Sequence, residues 1–216
     1  MGKEGEFPAG RSLGSGFQER KPSILKYPLI PWHSKMSKKR AVILIAGQLA
    51  SGTTEVGQLV GGSAGLTVLN TESLFREIAA EFQASFQYLQ RISRSGEVDL
   101  EKVIEGMVRD KIAEGDVVIE GRAALMGLGS KATLKVFLHK EMTERQKFLA
   151  KRREISEEEA LRELQVSDQE RANLVRTLMD SGWTDVKLYD LTVNTSRVGH
   201  QGAAQLVKAA LETKTT

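Results

Sequence analysis

The sequence predicts an α/β domain built on a parallel sheet of five strands. From residue 41 onward, short apolar runs rich in β-branched residues alternate with segments of helical periodicity, a pattern typical of βαβ units. The first apolar run also leads directly into a glycine-rich segment that opens a helix. The expected strands are residues 41–46, 66–70, 116–120, 134–139 and 189–194.

The spacing of apolar residues predicts the helices between these strands. One helix starts at Glu55, and Leu74, Ile78 and Phe82 indicate a second. A third is predicted by apolar residues between 100 and 112, and Asp99 is placed to cap its first turn.

The C-terminal part of the chain predicts two further helical units. Residues 143–180 form a highly charged helical pattern that is interrupted near Ile155 and Ser156, which favours a hairpin of two helices. Apolar residues between 206 and 211 predict a last helix after the fifth strand.

The first 35 residues differ from the rest of the chain. They contain all four prolines and show no strand or helix period. We therefore expect residues 1–35 to be an irregular or disordered N-terminal extension and residues 36–216 to form the domain. The alternative is a docking arm that uses Tyr27, Leu29, Ile30 and Trp32.

The overall composition is that of a globular protein, with 40% hydrophobic and 27% charged residues. The chain contains no cysteine, which excludes disulfides and thiolate chemistry. It also lacks an apolar run long enough to cross a bilayer and a recognisable secretory leader. We expect a cytoplasmic protein without a membrane partner.

The charge balance argues against a nucleic-acid partner. The net charge is +3, but residues 1–35 hold six basic and three acidic residues, and the remainder has 25 of each. Because nucleic-acid binding needs a basic face on the folded domain, we expect no such partner.

The glycine-rich segment after the first strand, G-Q-L-A-S-G-T-T at residues 47–54, matches the position and most of the pattern of a phosphate-binding P-loop. Such loops direct backbone amides at a phosphate, and a hydroxyl holds Mg²⁺. Thr53 stands where the P-loop lysine is usual. The segment is also compatible with a simple tight turn. The candidate nucleotide-binding residues are Gly47, Ser51, Gly52, Thr53 and Thr54.

The second half of the chain resembles the cytidylate kinase-like family. The resemblance rests on S-E-E-E-A at residues 156–160, D-Q-E-R-A-N at 168–173, Trp183, and Y-D-L-T-V-N-T-S at 189–196. Q-L-A-S-G-T-T-E-V at residues 48–56 is similar to the family's variant loop, which also lacks the lysine. Ala50 replaces a glycine that is usual in this loop.

The resemblance implies a three-layer α/β/α P-loop fold with a monophosphate-binding region at residues 71–115 and a helical lid at 152–182. It further implies phosphoryl transfer from ATP, assisted by Mg²⁺, to a nucleoside monophosphate such as CMP or dCMP. Two alternatives remain open: a non-catalytic nucleotide-binding module, because the lysine is missing, and a kinase of another small acceptor.

The resemblance also implies roles for five arginines. Arg171, Arg152 and Arg176 of the lid are the candidate catalytic residues, since phosphoryl transfer needs charge neutralisation at the transferring group. Arg76 and Arg122 are candidates for binding the acceptor. The alternative for each lid arginine is a solvated residue on a charged helix, and the motif favours the ligand role for Arg171.

A metal site is expected near Thr54 and Glu120. Glu120 closes an apolar strand, like the acidic residue that helps to hold hydrated Mg²⁺ in P-loop enzymes. The competing interpretation makes it an ordinary polar residue at a strand end. Ala123 stands where many bacterial cytidylate kinases have an acid, so cytosine or ribose recognition through that position is not expected.

Overall fold

The computed structural model describes residues 40–215, except residues 82, 84, 86, 89, 90, 92–94, 96 and 97. The predicted extension at residues 1–35 and its boundary with the domain lie outside these residues, as does Phe82 of the second predicted helix. None of the helices in this part of the chain is long and apolar enough to cross a membrane.

A single sheet of five parallel strands forms the centre of the domain, in the order β2-β3-β1-β4-β5. Every predicted strand is present, with ends that differ by a residue or two from the expected ones. All six residues of the central strand are buried, as expected for a parallel sheet covered on both faces. The strands are β1 Val42–Gly47, β2 Thr67–Leu69, β3 Val117–Glu120, β4 Leu134–His139 and β5 Leu191–Asn194.

The predicted helices are present in the expected order, a short helix at Arg122–Met126 was not predicted, and two of the predicted helices begin earlier than the sequence pattern indicates. The first starts at Thr53 rather than Glu55. The last starts at Thr195, where the Asn194 side chain accepts a hydrogen bond from the Ser196 amide, and it is interrupted at Gly199. This break hides the helical period before it. The helices are α1 Thr53–Ala64, α2 Thr71–Glu81, α3 Leu100–Glu114, α4 Arg122–Met126, α5 Met142–Arg153, α6 Glu157–Met179 and α7 Thr195–Thr215.

The three-layer arrangement is visible in the two faces of β1. Leu44 and its neighbours on one face pack into a cluster with apolar residues of α2, α3, α4 and α6. Ile43 and Ile45 face the other way, into a cluster with residues of α1 and α7. Alternate side chains of a strand point to opposite faces, so the sheet separates two helical layers, and the three-layer α/β/α fold is confirmed.

The α5–α6 hairpin has a small core of its own. Leu149, Ala150, Ala160 and Leu164 form this core, and Leu49 and Ala50 of the loop after β1 pack against it. The Ser156 hydroxyl accepts from the Glu159 amide while the Glu159 side chain accepts from the Ser156 amide, a capping box that starts α6. The predicted lid hairpin is therefore present and rests on the glycine-rich loop.

Candidate active site

The carboxyl ends of the parallel strands meet at one edge of the sheet, where open α/β sheets bind their ligands. Strand β1 ends at Gly47 and β3 at Glu120, which lies beside Ile45 in the sheet register. Asn70 directly follows β2. The glycine-rich loop, Glu120 and Asn70 are thus brought to the same edge.

The glycine-rich loop has two residues in the left-handed backbone region, Ala50 (φ 65°) and Gly52 (φ 93°). A Cβ atom at Gly52 would lie 2.5 Å from the ring of His200, so this position needs glycine on two counts. The loop is anchored by Gln48, whose side-chain oxygen accepts from the Lys140 amide at 2.9 Å.

Ser51 provides a buried polar atom inside this loop. The residue is fully buried, and its Oγ has no hydrogen-bond partner among the described residues. A Cβ atom at Gly47 would lie 2.8 Å from this Oγ, so the Ser51 side chain packs against Gly47 and leaves no room for a side chain there. An unpaired buried hydroxyl is costly. A phosphate held by the loop amides at the start of α1 would relieve that cost, and the loop therefore fits a phosphate.

Thr54, Glu120 and Asn70 form a hydrogen-bonded cluster beside the loop. The Thr54 hydroxyl and the Asn70 amide each donate to Glu120 Oε1 at 3.0 Å. Glu120 is 3% exposed, yet no lysine or arginine of the described residues forms an ion pair with it. Buried carboxylates are normally paired with a cation. A divalent metal next to the Thr54 hydroxyl would complete the cluster, and oxygen ligands of this kind suit Mg²⁺.

Arg171 lies on α6 and is largely withdrawn from solvent. Its Nη1 donates to the carbonyl and the hydroxyl of Ser167, while its Nε is buried without a partner among the described residues. Burial lowers the pKa of its guanidinium from the ordinary value, the Asp168 carboxylate opposes this, and Arg122 and Arg145 add to the lowering. An arginine remains charged under these conditions, and this one has an unpaired donor within the described residues.

Arg145 was not predicted as a site residue. It is 1% exposed, and its guanidinium binds both oxygens of Asp168 at 2.8 Å and the Leu49 carbonyl at 2.8 Å. It therefore ties α5, α6 and the glycine-rich loop together. The charged sequence around it gives no sign of this burial, because its partners lie in other segments.

Arg122 connects the two predicted ligand-binding regions. It pairs with Glu101 of α3 at 2.9 Å and with Glu170 of α6 at 3.3 Å. These residues line an open cleft of about 440 Å³ together with Lys102 and Asn173. The predicted acceptor residue therefore lines a cleft between α3 and α6.

The other predicted arginines lie on the surface. Arg152 is 61% exposed and faces Glu55 of α1 at 3.7 Å, so it reaches the first turn after the loop. Arg76 is 73% exposed and pairs with Glu72 of its own helix. Arg176 is exposed on the last turn of α6.

Asn70 and His200 were also missed by the sequence interpretation. A polar residue at the end of the predicted second strand was a usable signal for Asn70. His200 could not be identified, because its contact with Gly52 depends on the break of α7 at Gly199.

Comparison with known proteins agrees with this geometry. The model of the cytidylate kinase-like family matches residues 42–197. The chain belongs to the cytidylate kinase-like family. Its relatives include the cytidylate kinase of Methanopyrus kandleri, 32% identical over 79% of this chain and 93% of the relative. The cytidylate kinase of Thermococcus kodakarensis is 33% identical over 82% of this chain and 91% of the relative.

Solved structures with a similar fold include two shikimate kinases. That of Acinetobacter baumannii, in complex with shikimate, has a TM-score of 0.55 at 14% identity and covers 81% of this chain and 94% of its own. That of Bacteroides thetaiotaomicron also has a TM-score of 0.55, at 16% identity over 80% of this chain and 98% of its own. These likenesses concern the fold. Membership in the cytidylate kinase-like family supports phosphoryl transfer by a nucleotide kinase.

Proposed function

We propose that this cytidylate kinase-like protein transfers the γ-phosphoryl group of ATP, with Mg²⁺, to a nucleoside monophosphate, with CMP and dCMP as the first candidates. The proposal rests above all on the hydrogen bond between Thr54 and the buried Glu120 beside the glycine-rich loop. The related cytidylate kinases support the choice of acceptor.

The loop and α1 bind the polyphosphate of ATP in this proposal. The backbone amides at the start of α1 and the positive end of the α1 dipole attract the phosphates, whereas the Gln48 and Ser51 amides donate to the carbonyls of Leu138 and Gln48. Ser51 Oγ, buried and unpaired in the loop, supplies a further donor. None of these groups depends on a lysine side chain.

Thr54 and Glu120 hold the metal in this proposal. The Thr54 hydroxyl and the Glu120 carboxylate would hold Mg²⁺, with Asn70 fixing one carboxylate oxygen at 3.0 Å. The ion would supply positive charge for the phosphates of ATP.

The lid and the cleft supply the remaining charges. Arg171 offers its guanidinium to the transferring phosphoryl group, with Arg152 and Arg176 approaching from the lid surface. Arg122 binds the acceptor phosphate in the cleft beside α3, which requires that the phosphate displace Glu101 or Glu170. Arg76 on α2 is the second candidate for the acceptor phosphate.

Thr53 favours a second candidate function, a nucleotide-binding module without transferase activity. No positive side chain stands at this loop position, and Ala50 changes a second loop residue. A kinase of another small acceptor would use the same loop and metal site.

A coupled assay with Mg·ATP separates these possibilities. CMP, dCMP, UMP and AMP are offered as acceptors, with small hydroxylated metabolites as a further set, and Glu120→Gln serves as the inactive control. Turnover with CMP or dCMP that exceeds turnover with every other acceptor supports the proposal. Binding of Mg·ATP by calorimetry without transfer to any acceptor would favour the binding module. Failure to bind Mg·ATP even at millimolar concentration would refute the nucleotide site.

A further inference from the structure

We infer that Arg145 is a positioning residue that occupies the Asp168 carboxylate and so leaves the Arg171 guanidinium available for phosphate. The inference rests on the proposed function in one respect, the assignment of phosphate as the ligand of Arg171. The arrangement of the three side chains is independent of that assignment.

All three nitrogens of the Arg145 guanidinium donate hydrogen bonds to Asp168 or Leu49. Nη1 and Nη2 each donate to one oxygen of Asp168 at 2.8 Å, and Nε donates to the Leu49 carbonyl at 2.8 Å. The Arg145 side chain is 1% exposed and that of Asp168 is 23% exposed. A bidentate pair of this kind is among the strongest side-chain interactions, so little competes for Asp168 while Arg145 is in place.

Asp168 would otherwise be the natural partner of Arg171. The two residues are three positions apart on α6, a spacing at which opposite charges pair readily, and each is close enough for the Asp168 charge to act on the pKa of Arg171. Yet the hydrogen bonds of Arg171 go to Ser167, and its Nε has no partner among the described residues. Arg171 therefore keeps a free donor one turn away from a carboxylate.

Removal of Arg145 should change which arginine pairs with Asp168. Asp168 would be left as a partly buried carboxylate without a cation, which is costly, and Arg171 is the nearest arginine on the same helix. Once paired with Asp168, Arg171 would have to give up that ion pair to meet a phosphate. The loss would appear in turnover, where Arg171 is needed most.

Crystal structures of Arg145→Met and Arg145→Met/Asp168→Asn test the inference without reference to activity. We expect the Arg171 guanidinium within hydrogen-bond distance of Asp168 in the single variant and in its original position beside Ser167 in the double variant. If Arg171 stays beside Ser167 in Arg145→Met, the inference is overturned, whether or not the protein is a kinase.

Kinetics provide the second test. Arg145→Met should lower kcat by tenfold or more, because it removes the effect of one charge stabiliser. The change in KM for ATP should be smaller. Adding Asp168→Asn should restore most of the lost kcat. Arg153→Met is the matched control, because Arg153 also joins α5 to α6 through an ion pair with Glu163 but has no contact with Asp168; its kcat should stay at the wild-type value.

A folded double variant that remains as slow as Arg145→Met would overturn the inference. If Arg145→Met does not fold, Arg145→Lys takes its place, because a single ammonium cannot bind both carboxylate oxygens in a fork. Arg171 should then share Asp168 in the crystal structure, and an unchanged Arg171 would again contradict the inference.

Discussion

The Thr54 hydroxyl donates a hydrogen bond of 3.0 Å to the carboxylate of Glu120. Thr54 is the last residue of the glycine-rich loop, and Glu120 ends β3, so the contact joins the loop to the neighbouring strand. A Cβ atom at Gly57 would lie 3.3 Å from the Glu120 Cβ, which shows how closely α1 approaches this strand. The sequence predicted both residues as metal ligands, and the geometry is compatible with that prediction.

Glu120→Gln should remove most of the dependence on Mg²⁺. The amide keeps the size of the side chain but removes the negative charge that favours a divalent cation. We expect turnover to fall by about 10²- to 10³-fold, as for loss of a preorganised charge stabiliser, and calorimetry to show weaker binding of Mg·ATP with unchanged binding of metal-free ATP. Asn70→Ala is the control, since it removes only a neighbour of Glu120 and should have a smaller effect. Retention of wild-type Mg²⁺ dependence in Glu120→Gln would refute the metal assignment.

Arg171→Ala should lower turnover far more than it weakens ATP binding. The reason is that charge on the phosphoryl group changes in the transition state, where a preorganised arginine is most effective. The measurement is kcat compared with the calorimetric Kd for Mg·ATP, with Arg162→Ala as an exposed control on the same helix. Equal losses in kcat and affinity would mean that Arg171 binds the ground state and the transition state equally. No loss in either quantity would mean that Arg171 is only a charged residue of the helix, without a role at the site.

The fold could be predicted from the sequence because its signals are local. Each strand is a short apolar run, and Asp99 at the start of α3 accepts from the Lys102 amide as its position predicted. The start of α7 was the main error. Gly199, with φ 66°, interrupts the helix, and a helical period cannot be read across such a break.

The site could be predicted only where a motif carries it. The loop residues and Glu120 follow from strand ends and glycine spacing. Arg145 could not be identified, because its burial depends on Asp168 and Leu49, which are distant in sequence. The occupation of Arg122 by two carboxylates is likewise a product of packing between α3, α4 and α6.

Ala50→Gly should have little effect on folding stability, and Ala50→Val should lower it. Its left-handed backbone (φ 65°) costs a residue with a side chain about 1 kcal/mol, while its methyl group packs against the hairpin core and contributes about as much. Ala50→Gly should therefore change the free energy of unfolding by less than about 1 kcal/mol. Ala50→Val should destabilise by more, because β-branched residues strongly disfavour positive φ. Chemical denaturation of both variants tests this, and equal stability of the two would contradict the backbone argument.

Tyr189 should make folding stability fall at high pH. Burial raises the pKa of its hydroxyl above the ordinary value, and the hydroxyl donates to the Trp183 carbonyl. Since the folded pKa lies above the unfolded one, the folded state holds the proton more tightly. This stability is present below about pH 10, the unfolded value, and is lost as pH rises above it. Tyr189→Phe should lower the free energy of unfolding by about 1 kcal/mol at pH 7. The difference in free energy of unfolding between the variant and the wild type should be smaller at pH 11. A difference that stays constant in chemical denaturation from pH 7 to 11 would contradict the argument.

Thr53→Lys tests how the site manages without a loop lysine. The Thr53 side chain is directed between Gly47 and Gly121, with Cγ2 at 2.8 Å and Oγ1 at 3.8 Å from their ideal Cβ positions, so it occupies the space between the ends of β1 and β3. A missing cation beside the β- and γ-phosphates should cost about 10²- to 10³-fold in rate unless another residue supplies the charge.

Arg152 and Arg176 of the hairpin are the candidates for that replacement, and Arg152 already reaches Glu55 on the first turn of α1 at 3.7 Å. If one of them compensates, Thr53→Lys alone should change kcat by less than about threefold, because the charge is already present in the transition state. Arg152→Ala or Arg176→Ala should then be severe in the native background and milder when combined with Thr53→Lys, since the two cations serve the same phosphates and their effects are not additive. Steady-state kinetics of the three single and two double variants, compared at saturating Mg·ATP, measure this coupling. A large gain from Thr53→Lys in a nearly inactive parent would mean instead that nothing replaces the lysine, and the protein would be better described as a nucleotide-binding module.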